Sequence, residues 1–169
     1  MAHPAATFEF ATLRLSSGEA RSIDLDVRID DLSFGGQTYS AGGQAEVRLD
    51  VSRTMSGYAL RLRFRPDLAG PCMRCLENAG ASVDVDAREI HQPGDVEELH
   101  SPYMEESALD LRAWARDALA LALPTQIFCD ADCLGLCVRC GENLNANPEH
   151  VHEAELDPRW AKLSELELD

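Results

Sequence analysis

Six cysteines fall in this 169-residue chain, and none stands alone. Cys72-Met-Arg-Cys75 forms one pair, and Cys129, Cys133, Cys137 and Cys140 crowd a single stretch that also holds Gly135 and Gly141. A Cys-x-x-Cys turn lets two thiolates reach one metal ion, while a glycine relieves the turn and frees backbone N–H groups to face the sulfurs. Downstream, His150-Val-His152 adds two imidazoles, which ligate zinc when neutral. The candidate metal ligands are therefore Cys72, Cys75, Cys129, Cys133, Cys137, Cys140, His150 and His152. One tetrahedral zinc takes four of them, and two ions could take all eight. Contiguity in the chain favours Cys129, Cys133, Cys137 and Cys140 as the first set, because near neighbours lose least loop-closure entropy. A site closed by four protein ligands has no open position for water and is structural.

Other uses of the thiols lead to different expectations. The opening Met1-Ala-His-Pro-Ala-Ala has no basic start followed by an apolar run, and no apolar stretch reaches the roughly 20 residues of a membrane helix. This reads as a cytoplasmic protein with no membrane partner, in which thiols stay reduced and clustered cysteines favour metal or redox chemistry. A redox role would fall to Cys72 and Cys75, but that pair follows Gly70-Pro71 between strands and does not open a helix, where thiol pKa values are usually depressed. The net charge of −15 makes this an acidic protein and disfavours general affinity for phosphate backbones. The exception is Arg61, Arg63 and Arg65, which share one strand face; they are either a solvated face beside Asp50 and its neighbours or a contact for RNA. No Ser/His/Asp set, phosphate-binding glycine loop or paired carboxylates are evident, so no enzyme activity is expected.

The elements that must carry these side chains read mostly as strands. Phe8, Phe10, Leu13 and Leu15 alternate imperfectly, as a first strand with a bulge would. Ile23–Ile29, Ala45–Val51 and Tyr58–Phe64 alternate strictly, as strands with one wet face do. Ala81, Val83, Val85 and Ala87 read as a further strand, which puts Cys72 and Cys75 at the shoulder of a hairpin. The run from Phe34-Gly35-Gly36 to Gly42-Gly43 reads as a flexible connection. His91 to Ser107 reads as a mobile acidic loop, with His91 and His100 facing solvent. Asp110 caps a helix whose apolar stripe is Leu111, Trp114, Ala115, Ala118, Leu119 and Ala122, and Pro124 stops it. Asp157-Pro158 reads as the start of a terminal helix anchored by Trp160 and Leu163. The expected fold is α+β: an antiparallel β-sheet or small open barrel packed by one main helix, with a C-terminal cysteine-rich zinc module. The β-rich part spans 1–125 with the packing helix at 110–123; the module and terminal helix span 126–169 and integrate with it.

Several of these motifs together resemble the YceD family of large ribosomal RNA subunit accumulation proteins. They are Cys72-Met-Arg-Cys75-Leu76, Asp110-Leu111, Leu121-Ala-Leu-Pro124, the run Cys133-Leu-Gly-Leu-Cys137-Val-Arg-Cys140-Gly141-Glu-Asn143-Leu144-Asn145, and Asp157-Pro158-Arg159-Trp160. Leu134 and Val138 stand where Lys and Pro are frequent in the family. His150-x-His152 stands where many relatives carry Cys-x-Cys, an exchange that a zinc site tolerates. The resemblance implies a non-enzymatic factor in ribosome biogenesis that supports rRNA accumulation. Its partner would be a ribosome-assembly protein or pre-ribosomal particle.

Overall fold

Strict alternation of apolar and polar residues produces the main sheet. The computed structural model describes residues 6–94 and 96–152. Within them, β1 (Thr7–Glu9), β2 (Ala20–Arg28), β3 (Leu32–Phe34), β4 (Gln37–Tyr39), β5 (Gln44–Arg53), β6 (Tyr58–Phe64), β7 (Asp67–Pro71), β8 (Asn78–Ser82), β9 (Val85–His91), β10 (Met104–Glu105) and β11 (Ala108–Asp110) precede α1 (Leu111–Ala122). The main sheet is antiparallel, in the order β2-β5-β6-β9. Its inner face carries Val27, Val47, Val51, Leu60, Leu62 and Val85, all buried in one core cluster with Leu111, Trp114, Ala115 and Leu119 of α1. The helix touches β2 and β9, the two edges of this sheet, so the sheet curls around it. Asp110 caps α1 by accepting a 2.9 Å hydrogen bond from the Ala113 N–H. Arg112 pins the helix start to the end of β2 through a two-pronged bond to Asp30 at 2.8 and 2.7 Å, which holds the Asp30 carboxyl below its ordinary pKa. The α+β expectation holds: antiparallel sheets, one main helix, and a cysteine- and histidine-rich C-terminal segment that could hold a metal.

Four local readings are corrected. Phe10–Leu13 is a 3-10 turn ending at Arg14 in the left-handed region, because Phe10 must turn inward to stack on Tyr58 at 4.5 Å. The supposed flexible connection contains the β3–β4 hairpin, closed at Gly35-Gly36. The strand expected over Ala81–Ala87 is two strands, because β8 pairs with β7 while β9 pairs with β6. His91 is not solvent-facing: it ends β9 and is buried, 5.7 Å from the exposed His100 ring, and burial holds its pKa below the ordinary histidine value. The terminal helix expected from Asp157-Pro158 lies outside the described residues.

The arginine stripe is occupied. Arg61 makes a two-pronged bond to Asp86 at 2.7 and 2.6 Å, Arg63 reaches Asp50 at 2.6 Å, and Arg65 lies 3.5 Å from Asp84. Its geometry is that of a half-exposed ion-pair ladder across β5, β6 and β9, extended by Asp84 in the β8–β9 turn.

Candidate metal centres

The β7–β8 hairpin, stitched to β4 through a pair of backbone bonds between Ser40 and Ala69, presents Cys72 and Cys75 at its turn. The chain leaving α1 passes Pro124 and lays Ile127 against that turn, where the Met73 N–H donates to the Ile127 carbonyl at 2.9 Å. This brings Cys129 and Cys133 to the hairpin. Cys72 Sγ lies 3.8 Å from Cys133 Sγ, and Cys75 Sγ lies 3.5 Å from Cys129 Sγ. Two sulfurs bound to one tetrahedral zinc, each at about 2.3 Å, would sit about 3.8 Å apart. Cys72, Cys75 and Cys133 are buried and form a second apolar cluster with Ala79 and Ile127, separate from the main core.

The remaining four side chains form a second group. Cys137 Sγ lies 3.2 Å from His152 Nε2, Cys140 Sγ lies 3.2 Å from His150 Nε2, and the two imidazole nitrogens are 3.0 Å apart. Each group keeps its four ligand atoms within 4.8 Å of one another. All eight residues picked out by spacing thus converge, as two tetrads: an all-thiol tetrad of four cysteines, and a mixed tetrad of two cysteines and two histidines. The contiguous set of Cys129, Cys133, Cys137 and Cys140 does not converge. The reason is the turn between Cys133 and Cys137, where Gly135 adopts φ +79° and Leu136 bridges to Asn143, so Cys137 is carried away from Cys133.

The two Cys-x-x-Cys turns are built alike. In each, the first cysteine N–H donates to the glutamate carbonyl five residues on, Glu77 at 2.7 Å or Glu142 at 2.8 Å. The residue after the second cysteine donates back to the first cysteine's carbonyl, at 3.0 and 2.8 Å. That residue takes a positive φ in both: Leu76 at 63° and Gly141 at 77°. The sequence signal is a repeat that the spacing argument overlooked, Cys-x-Arg-Cys-x-Glu-Asn at 72–78 and again at 137–143.

Sulfur electrostatics are uneven across the all-thiol group. Burial raises the Cys72 thiol, but backbone N–H groups at Cys75, Cys129 and Arg74 outweigh it and bring it down to about 6. N–H groups of Arg139 and Cys140 bring Cys137 to about 6. The sulfurs of Cys75 and Cys133 push Cys129 up to about 12, and burial pushes Cys75 up. Amides thus favour the thiolate at Cys72 and at Cys137, while Cys75 and Cys129 are held towards the neutral thiol.

Three residues around the sulfurs escaped the spacing argument. Arg74 donates to the Cys133 carbonyl at 2.9 Å and lies 4.5 Å over the Phe128 ring, clamping the segment that carries Cys129 and Cys133. Asn143 Oδ1 accepts from the Asn145 N–H at 3.0 Å. Asn145 in turn donates through Nδ2 to Cys133 Sγ at 3.3 Å.

The chain is an α+β protein with paired Cys-x-Arg-Cys turns, each brought together with two cysteines or histidines from later in the chain in a group that could hold a metal ion. It belongs to the YceD family, described as large ribosomal RNA subunit accumulation protein YceD, whose sequence model matches residues 60–167. An uncharacterized protein of Mycobacterium tuberculosis is 33% identical over 131 residues, covering 74% of this chain and 63% of that protein. The chloroplastic large ribosomal RNA subunit accumulation protein YCED homolog 1 is 31% identical over 76% of the chain and 50% of its own length in Arabidopsis thaliana, and 26% identical over 78% and 58% in Zea mays. The chain therefore spans between half and two thirds of the length of these relatives. No solved structure matches. No helix among the described residues is long and apolar enough to cross a membrane.

Proposed function

We propose that this protein is a non-enzymatic, cytoplasmic factor that supports accumulation of large-subunit ribosomal RNA, with a docking surface held by two structural zinc ions. The observation that carries the zinc assignment is the gathering of four ligand atoms within 4.8 Å in each of the two tetrads. Four thiols, or two thiols with two imidazoles, are the donor sets of structural zinc, with all four positions filled by protein. The donors present fit the ion: amide N–H groups face the sulfurs in both turns, as they do around a zinc-bound thiolate. In the first site zinc would tie the β7–β8 hairpin to the segment after α1; in the second it would fold the chain from Cys137 to His152 upon itself.

The ribosomal assignment is supported by the family description and by the names of the plant relatives. The partner is a pre-ribosomal particle or an assembly protein. Contact through Arg61, Arg63 and Arg65 is disfavoured, since an RNA phosphate would have to displace Asp86, Asp50 and Asp84. A thiol-redox role is disfavoured because Cys72 is buried and shares its sulfur group with Cys133.

The test has two readouts. Purified protein, kept reduced, should carry two zinc ions per chain. Loss of the gene should lower large-subunit rRNA relative to small-subunit rRNA, with rescue by wild type but not by a Cys75→Ser variant. An unchanged rRNA ratio overturns the ribosomal reading, and absence of bound metal overturns the zinc reading.

A further inference from the structure

We propose that Asn145 couples the two tetrads, acting as the positioning residue through which closure of the mixed tetrad strengthens metal binding at the all-thiol tetrad. The inference rests on the reading that both groups hold zinc. Its basis is a chain of short contacts across the four-residue step from Cys133, in one tetrad, to Cys137, in the other.

Asn145 lies inside the loop that the mixed tetrad closes, between Cys140 and His150. Its side chain faces the other way. Nδ2 donates to Cys133 Sγ at 3.3 Å, while Oδ1 accepts from the Leu134 N–H at 2.7 Å. The loop that carries it is held by the Leu144 N–H donating to the Gly135 carbonyl at 2.9 Å, and by Asn143 Oδ1, which accepts from both the backbone and side-chain amides of Asn145. The opposite face of the step is fixed as well: the Leu136 N–H donates at 3.2 Å to the carbonyl of Arg74, the residue that immediately precedes Cys75. A Cβ on Gly135 would stand 3.1 Å from that same carbonyl, so the two knuckles meet there backbone against backbone.

An N–H donor stabilises a thiolate, and donors of this kind typically change metal affinity roughly 10- to 100-fold. Asn145 can serve Cys133 only while its loop is folded, and in this proposal the second ion folds that loop. Occupancy of the mixed tetrad therefore raises affinity at the all-thiol tetrad, and by linkage the reverse holds to the same factor.

The experiment is a titration of the full-length reduced chain with zinc against a chromophoric chelator. Cobalt serves as a spectroscopic reporter, because a site with four thiolates and a site with two give different charge-transfer intensities. Two variants separate positioning from folding: Asn145→Asp keeps the acceptor for Leu134 but loses the donor to Cys133, and Asn145→Ala loses both. Both should bind two equivalents, with the all-thiol step weakened about tenfold or more and the mixed step changed less. His150→Ala/His152→Ala should weaken the all-thiol step in the wild-type background and add nothing further in the Asn145→Asp background. Asn145→Asp binding as tightly as wild type at the all-thiol step overturns the proposal. So does an effect of the histidine pair that is the same in both backgrounds. A wild-type chain that binds no metal refutes the zinc reading instead, which keeps the two failures apart.

Discussion

The knuckle at Cys72 and the knuckle at Cys137 share a sequence, a hydrogen-bond pattern and a backbone twist, yet they sit in opposite surroundings. The first recruits its other sulfurs from 54 and 61 positions away, and three of its four cysteines, Cys72, Cys75 and Cys133, are buried against Ile127 and Ala79 while Cys129 is exposed. The second recruits imidazoles 10 and 15 positions away and stays largely exposed. A Cys-x-Arg-Cys turn therefore specifies how two thiols are presented and leaves open what they hold together. A metal in the long-range group would clip a large loop, where a cross-link restricts the unfolded chain most; one in the short-range group would order chiefly its own segment and reach the other group only through Asn145.

The sharpest way to break this contrast is to remove one ligand from each group. Cys133→Ser should destabilise the fold by more than about 4 kcal/mol, because it takes both the metal and a buried sulfur from the junction of the hairpin and the segment after α1. Cys140→Ser should cost global stability no more than about 1–2 kcal/mol and loosen only residues near 137–152. Denaturant unfolding with amide hydrogen exchange distinguishes them; equal losses would mean that burial does not separate the two groups.

Alkylation offers a kinetic version. After chelator is added, Cys137 and Cys140 should be modified first and Cys72, Cys75 and Cys133 later, by about tenfold or more in rate, as peptide mapping would show. Reactivity in the reverse order would contradict the exposure argument.

Ligand exchange should matter less. His150→Cys/His152→Cys turns the exposed group into a second all-thiol set, and both zinc ions should be retained. Loss of an ion from this variant would show that the imidazoles do more than fill positions.

The smallest effect concerns one of the two positions at which the turns differ, the residue after the second cysteine. Leu76 occupies the left-handed position that Gly141 fills in the other knuckle, and it is 59% exposed. Leu76→Gly removes a backbone penalty of about 1–2 kcal/mol and adds unfolded-state entropy worth about 0.5–1 kcal/mol. The net should be a stabilisation below about 1 kcal/mol, read from the denaturation midpoint. A destabilisation above that would show that the Leu76 side chain has a contact of its own.

How far the sequence exposed all this depends on the range over which each feature is encoded. Strands β2, β5 and β6 were legible because burial of one face imposes period two on Ile23–Val27, Val47–Val51 and Leu60–Phe64. The helix was legible from Asp110, the Trp114 stripe and Pro124. The β3–β4 hairpin was not, since three-residue strands around Gly35-Gly36 carry too few side chains to show a period. The eight ligand candidates were legible from residue type and spacing, but their partition was not. Loop-closure entropy favoured neighbours, whereas the Leu136–Asn143 bridge and the packing of Ile127 on the hairpin decided the grouping, and neither is written in the cysteine spacing. Asn145 stood out as the end of the family motif, but its contact with Cys133 was not legible, because the sequence does not show which side chains meet across the turn.

One measurement bears most directly on the two-tetrad account: zinc counted by native mass spectrometry in the wild type, in Cys72→Ser/Cys75→Ser and in His150→Ala/His152→Ala. The account predicts two ions in the wild type and one in each variant. A single ion in all three proteins would mean that Cys129, Cys133, Cys137 and Cys140 bind it together, and the separation into two groups would be wrong.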